Sequence, residues 1–423
     1  MSTIDGPTID FFTDPSLIAD PHPYYEEVRA HGPVWKEPVH GAFVITGYDE
    51  ISAVYRDPET FSSLNTFSGP LVQLPEQPED DDANELIRRY RTSFPAHDLV
   101  GTMDPPEHAA HRGLMMRMLT PKRLKENEAF MWRLADQVID EFAGRGSCEF
   151  IGEYAQPFAL LVIADLLGIP ESDHAALRAE FVAAGQPGKL GEPLAQDPLS
   201  FLDDWFTAYI EDRRRHPRDD VLTEMSLTTF PDGSMPEVVE VVKAATFLFA
   251  GGQGTSARFL GNVVHLLAED LDLQQLIRSE RDRIPNLVEE GLRVRSPVKV
   301  GFRLARRSTT LAGVPIPAGS ALMLLLQAAN RDPERFECPA QFHIERQNAR
   351  EHVAFGRGIH SCPGGPLVRT DAKTTLERML SRFEKFRISE VHHGPPDDRH
   401  YDYTQSWILR GFSALHLELT SAS

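Results

Sequence analysis

Cysteine is scarce in this chain of 423 residues: Cys148, Cys338 and Cys362 stand far apart and isolated. So sparse a set excludes a disulfide framework and suits a reducing cytoplasm, where the protein is expected to reside. Long apolar runs are missing as well. The first twenty residues hold acids and prolines, so neither a signal peptide nor a membrane anchor is expected. Positive charge is the minority, 43 Lys and Arg against 63 Asp and Glu, and the net charge of −20 would repel nucleic-acid phosphates. No internal repeat is found. With 41% hydrophobic residues the chain can bury a large core, and its length alone would suggest two or three domains.

One of the cysteines sits in unusual surroundings. The run Phe355-Gly356-Arg357-Gly358-Ile359-His360-Ser361-Cys362-Pro363-Gly364 is a glycine-rich loop, and the residues from Leu367 to Leu376 carry apolar positions at helical spacing. Gly356, Gly358 and Gly364 let the backbone turn with positive φ and pass close to a flat macrocycle. Pro363 is a favoured first-turn residue, so the sulfur is placed at a helix N-terminus, where free N–H groups stabilise a thiolate. The plain alternatives are a free cysteine at a turn or half of a zinc site. Zinc takes about four ligands, usually with close Cys or His neighbours, and none stand near Cys362. The loop reads instead as the thiolate ligand of a haem iron, with His360 in reach of a haem propionate.

The segment resembles the cysteine-loop signature of the cytochrome P450 superfamily, the haem-thiolate monooxygenases, and further segments follow in the family's order. Glu290-Gly291-Leu292-Arg293 is similar to the ExxR motif, whose acid and base share one helix face. Arg346, in Phe342-His343-Ile344-Glu345-Arg346, completes the family's Glu-Arg-Arg arrangement, a structural set with no chemical role. The resemblance makes Arg303 a propionate ligand, and Asp104-Pro105-Pro106-Glu107-His108 through Arg112 puts His108 and Arg112 on one helix face for the same use. For any one of these basic groups a solvated surface charge is the bland reading. Two buried carboxylates, however, need cationic partners. The cofactor implied is haem b, with Cys362 as the metal ligand and Phe355, Gly356 and Gly364 shaping its loop.

A long helix is expected to begin near Ser234-Met235-Pro236-Glu237 and run through Val238, Val242, Phe249 and on to Leu267. Its middle, Ala250-Gly251-Gly252-Gln253-Gly254-Thr255-Ser256, holds three glycines, each costing roughly 1 kcal/mol in a helix. Close helix packing is one explanation. An oxygen pocket with a local opening of the helix is the other. The family has A/G-G-x-D/E-T-T/S here, and this chain fits except that Gly254 stands in place of the acid. Thr255 keeps the hydroxyl that the resemblance implies hands protons to dioxygen. Gln253 could orient a water but cannot donate a proton as an acid does. Three routes stay open: ordered water, a group on the substrate, or an enzyme that couples poorly to O2 or uses peroxide.

The resemblance, specific at motif level from about Asp104 to Gly411, implies a mainly α fold with small β-sheets in a single compact domain over 1–423. A short tail is expected over about 1–15, β-rich regions over about 30–65 and 296–345, and a helical core over about 104–295 and 362–385. Position relative to the motifs suggests Phe94, Leu99, Leu248, Gly251, Val298, Val300, Trp407 and Ile408 as an apolar lining for a hydrophobic small molecule. Each could equally be core. Gln186 to Pro193 reads as a loop that caps the substrate channel in the family. The expected partners are O2 and a ferredoxin or flavodoxin with its reductase, docked on a basic patch of Arg112, Arg117, Lys122, Arg123, Arg357, Arg369 and Lys373, and the chain is expected to be a monomer. A peroxide-driven oxygenase and a haem-binding sensor or carrier without turnover are the alternatives.

Overall fold

The long helix forms where the sequence places it, from Val238 to Glu269. Glu237 caps it, and its side chain and that of Glu240 exchange hydrogen bonds with each other's backbone N–H in a capping box. At 1.5 Å per residue its 32 residues span about 48 Å, so it crosses the whole helical core. Apolar residues along it, among them Val242, Phe249, Leu260 and Val263, are buried with Ile163, Phe206 and Leu376 from neighbouring helices. The helices Glu107–Met118, Gln156–Leu166, Asp203–Arg215 and Gly365–Arg382 all pack on it. The computed structural model describes residues 9–184 and 200–422, so the loop expected over Gln186–Pro193 lies outside the described residues.

Among the described residues ten short strands accompany the helices: β1 (Val34–Lys36), β2 (Phe43–Ile45), β3 (Phe61–Ser62), β4 (Ser147–Glu149), β5 (Val300–Ala305), β6 (Thr309–Leu311), β7 (Val314–Ile316), β8 (Ala321–Leu325), β9 (Phe383–Ile388) and β10 (His416–Ser421). Five form one sheet in the order β1-β2-β8-β5-β3, in which only the β2–β8 pair is parallel. The β6–β7 hairpin turns at Ala312 and Gly313, both with positive φ, as a tight two-residue turn requires. The architecture is mainly α with small sheets. Among the described residues no helix is long and apolar enough to cross a membrane.

Three expectations are corrected. The N-terminal tail is not free over its whole length, because Phe11 and Phe12 are buried against the sheet, with Phe12 edge-on to Trp407 at 5.1 Å. A three-stranded sheet, β4-β10-β9, joins segments far apart in sequence and takes residues 383–385 from the expected helix. Strands this short carry too little periodicity to be seen locally. The helix after the cysteine starts at Gly365, so Pro366 rather than Pro363 occupies its first turn.

Candidate haem-thiolate site

The cysteine loop folds through its glycines. Gly358 has φ +68°, and a Cβ there would lie 2.1 Å from the Tyr55 carbonyl oxygen, so only glycine fits. Gly356, at φ +62°, makes a second left-handed turn. Gly364 does not: its φ is −79°, and its role is to cap the following helix and bring its N–H to the sulfur. The Cys362 N–H donates to the Phe355 carbonyl at 2.8 Å and closes the loop.

Burial pushes the Cys362 thiol pKa upward, while N–H groups of Gly364 and Gly365 and the charges of Arg112 and Arg369 pull it down without prevailing. The residue is nevertheless accessible. Both statements hold if its accessible surface is the wall of a cavity within the protein rather than outer surface. A thiol held in this way is not a self-activated nucleophile; it becomes a thiolate when a metal displaces its proton. Pro363 offers no N–H beside the two that reach the sulfur. Pro363→Leu is therefore expected to add a donor and raise the reduction potential of the holoprotein in a spectroelectrochemical titration, and an unchanged or lower potential would contradict this.

Four basic groups converge beside the loop. The rings of His108 and His360 meet at a tilt of 47° with centroids 4.0 Å apart, and the Nε2 of each is buried without a partner. Arg303 is buried over the Tyr55 ring at 4.8 Å, and Arg112 donates to the Ser361 carbonyl at 2.6 Å. Burial, then the neighbouring Arg112 and Arg303, lower His108 to about 4; burial, then Arg303, His108 and Arg112, lower His360 to about 2. Among the described residues the carboxylate bearing on Arg303 is Asp104, which is held by the Ser62 hydroxyl and the Ser63 N–H. A cluster of buried bases with orphaned nitrogens and too few acids fits the two carboxylates of a haem. The expected set of His108, Arg112, Arg303 and His360 is thus brought together.

On the long helix, Gly251 is exposed and Thr255 half-buried, while Leu248, Phe249, Gln253 and Ser256 around them are buried. The helix therefore leaves one small face accessible. The Thr255 hydroxyl donates to the Gly251 carbonyl at 2.8 Å. The helix remains helical throughout, so the expected local opening of its ladder is not present. Gly254 has a neighbour that the sequence reading lacked: Arg258, one turn on and buried, donates to the Gly254 carbonyl at 2.6 Å, and a Cβ at 254 would make a tight contact, 3.0 Å, with the flexible Nη1 end of its side chain.

The expected pocket lining divides. Gly251 lies on the accessible face; Val300 and Trp407 do not, because both are core, Trp407 being enclosed by Phe12 and Phe302. Phe94 is fully buried in a small cluster with Leu64, Ile87 and Leu304, and Leu99 is also buried. Leu248 belongs to the main core, Val298 bridges to Leu409, and Ile408 packs beside Trp407. Phe247, one turn before Gly251, and Phe67 are half-buried, and their rings meet edge-on at 6.1 Å. Helical spacing back from Gly251 would have found the first.

Behind the loop, Glu290 receives Arg293 at 2.7 and 2.8 Å and Arg346 at 2.9 Å, as the motifs imply. Its neighbour Glu289, also missed, accepts from Arg369 at 2.6 Å and meets His352 at 3.2 Å. Burial raises its pKa, yet the hydrogen bonds from His352 and Arg369 prevail and hold it at about 2. Arg369 is thereby withdrawn from the expected basic patch. Arg123 is likewise paired with Glu224, and Arg357 is bound to Tyr48 and the Glu351 carbonyl.

An accessible sulfur at a helix start, a basic cluster with few acids and a half-buried threonine on a crossing helix define a haem-thiolate protein. Comparison with known proteins gives the family. The cytochrome P450 family model matches residues 200–404. Cytochrome P450 144 of Mycobacterium tuberculosis is 32% identical over 382 residues, covering 88% of this chain and 85% of that protein. The substrate-free structure of Mycobacterium marinum cytochrome P450 CYP150A6 is 51% identical with a TM-score of 0.92, over 98% of this chain and 99% of that one. CYP109E1 of Bacillus megaterium, solved with testosterone, is 25% identical with a TM-score of 0.75, over 94% and 99%. The chain belongs to the cytochrome P450 family. It is an oxidoreductase of the monooxygenase kind, and its cofactor is haem held by a cysteine thiolate.

Proposed function

We propose that the enzyme inserts one atom of O2 into a hydrophobic small molecule and reduces the other to water, with two electrons from a ferredoxin or flavodoxin and its reductase. The observation that carries this reading is the accessible face at Gly251 and Thr255 on an otherwise buried helix. Haem, when bound, supplies the iron that activates dioxygen, with a thiolate push favouring O–O cleavage. Cys362 is the ligand, Arg112 and Arg303 neutralise the propionates, and the imidazoles of His108 and His360 offer them hydrogen bonds. Phe67, Phe247 and Gly251 offer apolar surface to the substrate, which excludes water from the reacting carbon. Thr255 holds and passes a proton at its hydroxyl. The structural relative solved with testosterone makes steroids the first class to test. Scarce cysteine supports a cytoplasmic location.

Titrating the ferric holoenzyme with steroids, terpenoids, fatty acids and small aromatics tests the reading through the low-spin to high-spin shift that follows loss of iron-bound water. One class should give a near-complete shift. No shift with any class would contradict an apolar substrate site.

For the electron donor, Arg117 and Lys373 remain exposed without an ion pair among the described residues, and Lys122 meets only Glu126, at 3.8 Å. Reversing Arg117 and Lys122 to glutamate is expected to slow reduction by an acidic ferredoxin about 10-fold at low salt, with substrate affinity unchanged. Equal effects on both would reject this surface as the dock.

A further inference from the structure

A second group of bases gathers away from the cysteine loop, where the N-terminal segment lies against residues from three later parts of the chain. Arg410 stands at its centre: it is buried, lies over the Tyr403 ring at 4.8 Å and donates to the Ala19 carbonyl at 2.6 Å. Its charge acts on Arg295, Lys299, Arg331 and His22. Lys299 is 1% exposed and donates to the Leu17 carbonyl at 3.4 Å, with its ammonium over the Phe11 ring. Arg29, on the helix His22–Ala30, donates to the Ala328 carbonyl at 2.6 Å.

Acids do not balance this charge. Among the described residues no carboxylate forms an ion pair with Arg295, Lys299, Arg331 or Arg410, and Arg29 alone has one, with Glu26. Asp20 and Glu269 act on Arg331 and Arg295 but stand beyond ion-pair reach. Both are engaged elsewhere, Asp20 by the His22 N–H at 3.1 Å and Glu269 by the Tyr401 hydroxyl at 2.8 Å. The Nε of Arg29, Arg331 and Arg410 are each buried without a partner, and the Arg295 side chain has no hydrogen bond among the described residues. Burial first, and then neighbouring positive charge, lower Lys299 to about 7, Arg331 to about 10 and His22 to about 2. Buried cations without acids and donors without acceptors both cost stability. Arg295 and Arg331 are half-buried, so an ion from solvent can reach them.

We propose that this cluster is a binding site for a phosphate-type oxyanion, taken up by Arg295 and Arg331 and compensated by the buried charges of Arg410 and Lys299. A guanidinium presents paired N–H groups that match phosphate oxygens, and a dianion offsets several cations where chloride offsets one. Arg410, Lys299 and Arg29 hold the N-terminal segment to the rest of the fold, so relief of their mutual repulsion stabilises that junction. The site shares no residue with the haem cluster of His108, Arg112, Arg303 and His360, and it does not depend on the monooxygenase reading.

The test is thermal unfolding of the ferric holoenzyme, in which haem already occupies the bases beside the cysteine loop, with phosphate exchanged for chloride at fixed ionic strength. Inorganic phosphate at about 20 mM should raise the midpoint by roughly 3 °C, because an ion that binds the native state alone stabilises it. Calorimetric titration should give one site per chain, and Arg295→Gln should weaken it about 10-fold, the loss of one charge-assisted contact. That variant removes no hydrogen bond or ion pair among the described residues. In chloride it should therefore be at least as stable as the parent, and only in phosphate should it fall behind. Should it fail to fold, Arg331→Gln carries the same comparison. Glycerol 3-phosphate is titrated in parallel: tighter binding than inorganic phosphate makes a phosphorylated metabolite the source of the oxyanion, equal or weaker binding makes it the free ion, and either supports the site. Equal midpoints in phosphate and chloride, or a phosphate gain that Arg295→Gln and Arg331→Gln both retain, would overturn it.

Discussion

Glu290→Ala is expected to destabilise the protein by about 3–5 kcal/mol, the cost of leaving buried charges without their partner. Glu290 is fully buried and gathers four donors: two from Arg293, the Arg346 Nε–H and the His343 N–H at 3.0 Å. Arg293 also holds the carbonyls of Asn330, Pro339 and Gln341, and Arg346 holds that of Glu337. The acid therefore fixes the whole segment that precedes the cysteine loop. Two guanidinium groups would be stranded where water does not reach, so the denaturation midpoint should fall and haem retention with it. Urea unfolding of holoprotein checks the value. A loss under about 1 kcal/mol would show that the two arginines find other partners and that this network does not support the loop.

Thr255→Ala is expected to leave haem binding and substrate spin shift intact and to cut product per dioxygen consumed on the order of 10²-fold, the low end of what a positioned proton donor contributes. The hydroxyl rests on the Gly251 carbonyl at the accessible face of the long helix, so its removal leaves packing almost unchanged. The electrons should appear as peroxide. Peroxide-driven turnover should respond little, since that route brings its protons with the oxidant. A variant as well coupled as the parent would instead favour the peroxide-driven reading that the acid-free sequence at 254 keeps in view.

The parts of the site legible in the sequence are those set by local rules. Glycines with positive φ mark the cysteine loop, start signals from Ser234 to Glu237 mark the long helix, and an i, i+3 acid and base mark the Glu290–Arg293 pair. What escaped depends on contacts across the chain. Nothing local to Trp407 says that Phe12 will cover it, and nothing local to Gly254 says that Arg258 folds back over it. Glu289 anchors Arg369 next to the cysteine loop, a contact between segments far apart in sequence. Asp371 is one polar position in a helical run. It is almost completely buried, which sequence pattern alone does not show for a carboxyl group.

The most direct test of the monooxygenase assignment is to run the reconstituted enzyme under isotopically labelled dioxygen with the compound that gives the largest spin shift. The account predicts one labelled oxygen atom in the product and the other in water, with loss of both in Cys362→Ser. Product oxygen drawn from water, or oxidation that continues without Cys362, would contradict it.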